Sequence, residues 1–217
     1  MKSIYVIFIL LAFTSMLNAV IINVPDDQPT IQEGIDTAID GDMVLVAEGT
    51  YYENIDFLGK EITVASHFLL DEDVSHIENT IINGSTPIDP DFGSCVRFMS
   101  GETLNSVFSG FTLTEGSGTY YNRWGTIGGG ICIDSSSPTI SNNIVTENSA
   151  DYDGALGCSY NGSAPQIIDN TFSDNTGIIQ IGGLDFYDDC SPYLEGNIIK
   201  NNSCGDAFAE GMGGINF

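Results

Sequence analysis

Ser137-Pro138-Thr139-Ile140-Ser141-Asn142-Asn143 decides the fold, because its pattern returns at Pro165-Gln166-Ile167-Ile168-Asp169-Asn170 and at Pro192-Tyr193-Leu194-Glu195-Gly196-Asn197. The prolines are 27 residues apart each time, 165 − 138 and 192 − 165. Two positions after each proline stands Ile140, Ile167 or Leu194, and five positions after it an asparagine. A second set of asparagines follows at Asn148, Asn175 and Asn202. A fixed period of this size marks a solenoid, in which units that cannot bury an apolar face alone do so by stacking.

The apolar runs inside each unit are too short for helices. Residues 131–133, 144–145, 171–172, 178–181 and 198–199 read as strands, separated by Gly, Asn, Ser, Asp and Pro. The expected architecture is all-β, a parallel β-helix whose strands pair with their equivalents about 4.8 Å above and below. Asn143, Asn170 and Asn197 are expected to be structural, for two reasons. Asparagine tolerates the left-handed backbone of a tight turn, and identical stacked amides can form a hydrogen-bonded ladder.

Residues 1–19 carry Lys2, an apolar run over 4–13, then Ser15, Asn18 and Ala19. This pattern predicts a signal peptide cleaved after Ala19 and a secreted or cell-surface chain. The run is shorter than the ~20 residues a membrane-spanning helix needs. Residues 20–42 are expected to form an N-terminal cap, a strand plus a helix over 29–42. That helix would bury Ile31, Ile35, Ala38 and Ile39, open on a Thr30–Glu33 capping box and close at Gly41. Coils then fill 43–217, with further strands at 43–46, 54–57, 62–65, 80–82, 95–98 and 107–113. The final Gly213-Gly214-Ile215-Asn216-Phe217 repeats Gly182-Gly183-Leu184-Asp185-Phe186, which reads as a coil cut in mid-strand from a longer protein, monomeric when complete.

Lys and Arg number 5 against 30 Asp and Glu, for a net charge of −25. Nucleic acid is excluded as a partner, since phosphate binding needs clustered basic side chains and Lys60, Arg97, Arg123 and Lys200 are scattered. Such acidity suits cations, Ca²⁺ above all. Of the five cysteines, Cys132 and Cys158 fall close together on adjacent coils; they are expected to be buried thiols, with a disulfide between them as the alternative. No Cys-x-x-Cys spacing occurs, and His67 and His76 fall in one acidic loop read as solvated.

The run Val24-Pro25-Asp26-Asp27-Gln28-Pro29-Thr30-Ile31-Gln32 is followed by Gly41-Asp42-Met43-Val44-Leu45-Val46 and Gly49-Thr50-Tyr51-Tyr52-Glu53-Asn54-Ile55. Together they resemble the opening of secreted bacterial β-helix proteins of the pectin lyase-like superfamily. Gly128-Gly129-Gly130-Ile131 and the Pro138 segment resemble that family's repeats. The resemblance implies a right-handed coil and names no activity. Lyase, polygalacturonase and pectin methylesterase motifs do not fit, Asp188-Asp189-Cys190 being only a partial match to the second.

Asp134, Asn161 and Asp188 stand four residues before the prolines, so strict stacking would align them on one face as oxygen ligands for a hydrated Ca²⁺. Asp185 and Asp189, with Tyr160 and Tyr187, are the candidate sugar-binding residues beside them. Three functions are therefore expected in order: binding of an extended polysaccharide without catalysis, a lyase or hydrolase acting on acidic glycans, and an adhesin or structural stalk.

Overall fold

The computed structural model describes residues 19–121, 125–159, 162–187, 189–205 and 213–217. The expected leader lies outside these residues apart from Ala19, as do Tyr160, Asn161 and Asp188. The chain winds as a parallel β-helix with three long sheets. Sheet A stacks Ile21–Val24, Met43–Val46, Thr63–Ser66, Val107–Ser109, Thr139–Ser141, Gln166–Ile168 and Tyr193–Glu195. Sheet B stacks Gly49–Tyr51, Thr80–Asn83, Thr112–Thr114, Ile144–Thr146, Thr171–Ser173 and Ile198–Lys200. Sheet C stacks Ile55–Asp56, Val96–Phe98, Ile131–Asp134, Leu156–Ser159, Leu184–Phe186 and Ile215–Asn216.

Strands of two to four residues suffice because side chains alternate and each strand needs only one or two large apolar groups pointing inward. Sheet A contributes Val44, Val64, Phe108, Ile140 and Ile167, sheet B Ile82, Leu113, Val145 and Phe172, and sheet C Val96, Ile131, Leu156 and Leu184. Phe57 lies 4.5 Å from Phe98 and Phe108 stacks at 4.7 Å on Phe111, centroid to centroid. The proline file forms as the repeat requires: Thr139 pairs with Gln166 and Gln166 with Tyr193. Gln166 N–H donates to Pro138 O and Tyr193 N–H to Pro165 O, each at 2.9 Å.

The two asparagine files are buried amide ladders at the corners flanking sheet B. Nδ2 of Asn143 donates to Oδ1 of Asn170 at 3.0 Å and that of Asn170 to Asn197 at 3.1 Å. Asn148, Asn175 and Asn202 repeat the arrangement at 3.0 and 2.9 Å. The left-handed turn residues are their predecessors, which corrects the sequence reading. Asn142, Asp169 and Gly196 have φ of 56°, 54° and 66°, and Glu147, Asp174 and Asn201 have 56°, 59° and 57°. The bend is thus made by an outer residue, leaving the next asparagine free to turn its amide inward.

The first helix is Ile31–Thr37, shorter than expected. Thr30 Oγ1 accepts from Glu33 N–H at 3.1 Å, and Ile31, Ile35 and Ala38 are buried. Ala38 turns to an extended conformation, so Ile39 leaves the apolar face and is exposed. Lys60 Nζ closes the helix in place of Gly41, donating to the carbonyls of Ile35, Asp36 and Ala38 at 2.6, 2.8 and 2.8 Å. The loop carrying the histidines holds two short helices, Phe68–Asp71 and Ser75–Asn79. There His76 bridges Glu48 and Asp71 at 2.8 and 3.4 Å. Residues 178–181 form no strand; Ile181 makes one bridge to Asp153, and Ile178 and Ile179 are exposed.

Cys158 is disulfide-bonded to Cys190, which overturns its reading as a thiol. Cys132 pairs with Gly157 and Ile133 with Cys158, so the sulfurs of Cys132 and Cys158 leave opposite faces of sheet C and cannot meet. Cys132 and Cys95 are buried thiols. Among the described residues no helix is long and apolar enough to cross a membrane.

Candidate functional site

The outer face of sheet C carries the chemistry. Parallel pairing in register places Asp56, Arg97, Cys132, Gly157, Asp185 and Asn216 in one outward file, each residue beside the next. Their neighbours Ile55, Val96, Ile131, Leu156 and Leu184 point into the core. This file divides into an open cleft, a covered middle and a buried acid pair.

The cleft, about 630 Å³, lies between the first helix, residues 52–58 and residues 86–92. Tyr52 and Phe92 stand exposed on it, at 63 % and 40 %. Its floor is held by mutual hydrogen bonds. Glu53 takes the first helix's leading N–H groups, Ile31 on Oε1 and Gln32 on Oε2, both at 3.0 Å. The Gln32 amide accepts from Asp56 N–H at 2.8 Å and donates to Asp56 O at 3.1 Å. Arg97 is committed three ways: Nε to Asp56 Oδ2 at 3.4 Å, Nη1 to Phe92 O at 3.0 Å, and Cζ at 4.9 Å from the Phe92 ring centroid.

Above the cleft, antiparallel strands Phe92–Gly93, Gly118–Tyr120 and Thr126–Ile127 form a small flap over the middle of the file. Ser94 and Thr119 share a buried hydroxyl–hydroxyl bond of 2.8 Å there. Burial pushes the Cys132 thiol up to about 12, with Asp134 and Asp153 adding to the shift. Cys132 therefore stays a neutral, unreactive thiol.

Higher still, Asp153 meets Asp185, both fully buried. Asp153 Oδ1 accepts from Tyr187 Oη–H at 2.8 Å, and Asp185 Oδ1 accepts from Asn216 Nδ2 at 2.8 Å. The other oxygen of each acid has no partner in its charged form, and the two carboxyls interact directly. A proton on Asp153 would let its Oδ2 donate to Asp185. Burial and the charge of Asp185 hold the Asp153 carboxyl well above the usual carboxylate range. Burial, with the two acids, also raises the Tyr187 hydroxyl, which stays a donor. Gly157 makes room for this, since a Cβ there would collide with Asp153 Oδ2.

Of the Asp134–Asn161–Asp188 file, Asp134 alone lies among the described residues. Asp134 pairs with Ser159, a step of 25 residues, whereas over the same coils sheets A and B step by 27. Asp134 instead accepts from Ser135 Oγ at 2.8 Å. Asn161, Asp188 and Tyr160 lie outside the described residues. Asp185, expected on the surface, is covered by Asp153 and Tyr187, and Tyr187 spends its hydroxyl on that contact. Asp189 is exposed in a turn with φ of 67°. Among the described residues no three His, Cys, Asp or Glu side chains group to hold a metal.

Sequence reasoning missed Asp153 and the placing of Phe92 on the same cleft as Tyr52. Tyr52 stood within the motif used for the family resemblance, yet nothing in the sequence brings Phe92 to it. The chain matches no protein-family model, no curated protein and no solved structure.

Proposed function

We propose that this chain is an exported β-helix module, related to the pectin lyase-like proteins, that binds an extended polysaccharide at the secretory or cell surface without cleaving it. The cleft at the foot of sheet C carries the reading, because it sets two exposed aromatic rings, Tyr52 and Phe92, among hydrogen-bonding side chains. Aromatic rings present an apolar face to the C–H surface of a sugar, while carboxylates and amides around them accept and donate to its hydroxyls. A ridged face with strands every ~4.8 Å suits a polymer better than a compact ligand.

The acid pair does not favour a hydrolytic reading. Glycoside hydrolysis needs carboxyls roughly 5–10 Å apart with the scissile bond between them, whereas Asp153 and Asp185 interact with each other and are closed off from solvent.

Affinity electrophoresis of the chain through gels containing a panel of polysaccharides tests the proposal. Retardation by at least one polymer is expected, with Tyr52→Ala and Phe92→Ala each weakening it by about tenfold, the worth of a stacked ring near 1.4 kcal/mol. Release of new reducing ends from any retarding polymer would overturn the non-catalytic part.

A further inference from the structure

Carboxylates dominate the cleft: Glu33, Asp36 and Asp89 join Glu53 and Asp56 along its lining. Among the described residues Arg97 is the only basic side chain lining it, and its guanidinium is already held by Asp56, the Phe92 carbonyl and the Phe92 ring. A uronate carboxylate entering here would find no uncommitted cation among the described residues, and to gain one from Arg97 it would have to pull the guanidinium from those partners. An ammonium group meets the opposite situation. Glu33 and Asp89 face it from the two walls, and the exposed ring of Tyr52 offers a π-face that attracts cations. The whole chain reinforces this, since a surface carrying 30 acidic against 5 basic side chains concentrates cationic polymers and repels polyanions.

We propose that the cleft selects amine-bearing sugar polymers, hexosamine chains with free ammonium groups, over neutral and uronate chains. This rests on the polysaccharide-binding reading and narrows it. Asp36 is partly spent on Gln32, whose Nε2 donates to its Oδ1 at 3.0 Å, so Glu33 and Asp89 carry most of the preference. The Asp89 Oδ1 bond to Asp91 N–H, 3.0 Å, survives replacement by asparagine, which keeps the same acceptor.

Isothermal titration of the full chain, in low salt with chelator present, separates the outcomes. The ligands are glucosamine hexamer, its fully N-acetylated form, galacturonate hexamer and a lysine hexapeptide. The glucosamine hexamer is expected to bind at least about tenfold more tightly than the acetylated one, with no measurable binding of galacturonate. That advantage should vanish near 1 M salt, where the screening length falls to about 3 Å. The double variant Glu33→Gln, Asp89→Asn should lose the preference while holding its affinity for the acetylated hexamer. Equal affinity for the two hexosamine forms, or binding of galacturonate, overturns the selectivity and leaves polysaccharide binding standing. Binding of no sugar, or of the peptide as tightly as the sugar, overturns the polysaccharide reading and this inference with it.

Discussion

Asn170→Ala should destabilise the fold by about 4 kcal/mol, among the costliest single changes this chain can suffer. Its amide oxygen accepts from both the backbone N–H and the Nδ2 of Asn143, each at 3.0 Å. Its Nδ2 donates to Ile140 O and Ile168 O at 3.0 Å and to Asn197 Oδ1 at 3.1 Å. Each buried donor or acceptor left without a partner costs about 1–3 kcal/mol, and alanine strands several at once. Asn142, in the equivalent turn one coil earlier, is the contrast. It supplies a left-handed backbone, φ 56°, so Asn142→Gly should be neutral or slightly stabilising. Urea unfolding of the two variants decides: a loss under about 1 kcal/mol for Asn170→Ala means that the ladder bears little of the fold's stability.

The ladder also explains how much of the architecture a repeat can reveal. Turns on either side of sheet B are fixed in length because each must place one left-handed residue and then one inward amide. Sheets A and B therefore stay in step with each other, and over the coils of Pro138, Pro165 and Pro192 both advance by 27 residues. The passage from sheet C back to sheet A varies in length, four residues between Asp134 and Thr139 and six between Ser159 and Gln166. Counting from the prolines therefore does not give the register of sheet C, where Asp134 pairs with Ser159. The exposure of Ile178 and Ile179 has a related cause. Four residues of apolar character look like a strand, yet this stretch runs outside the core stack and makes one bridge through Ile181.

The candidate site was legible only where strand alternation governs it. Leu184-Asp185-Phe186 reads as a strand with its aspartate outward, and the register places it so. What covers that aspartate was not readable. Asp153 belongs to the connection between Ser149–Ala150 and Leu156–Ser159, where no residue recurs at a fixed step. The cleft has the same character. Tyr52 comes from one coil, Phe92 and Arg97 from the next, and the first helix, docked through Glu53 and Gln32, supplies the facing wall.

Asp153→Asn should stabilise the chain, and by more as the pH rises. The folded state raises the proton affinity of Asp153, chiefly through burial and then through Asp185. The stability contributed by such a group is fully present below its unfolded value, near 3.8, and is lost as pH climbs from there through the folded value. Folding at neutral pH must therefore take up a proton. Asparagine needs none: its Oδ1 can still accept from Tyr187, and its Nδ2 can donate to the carboxylate of Asp185. The advantage of the variant should grow by about 1.4 kcal/mol per pH unit above 3.8 until Asp153 itself ionises in the folded protein. Many other acids titrate over this range, so only the difference between the two proteins is informative. Thermal melts at acidic and alkaline pH give it directly. Curves that stay parallel would mean that Asp153 holds no proton between itself and Asp185, and Asp153→Asn falling below the parent at every pH would mean that the pair is held by charge instead.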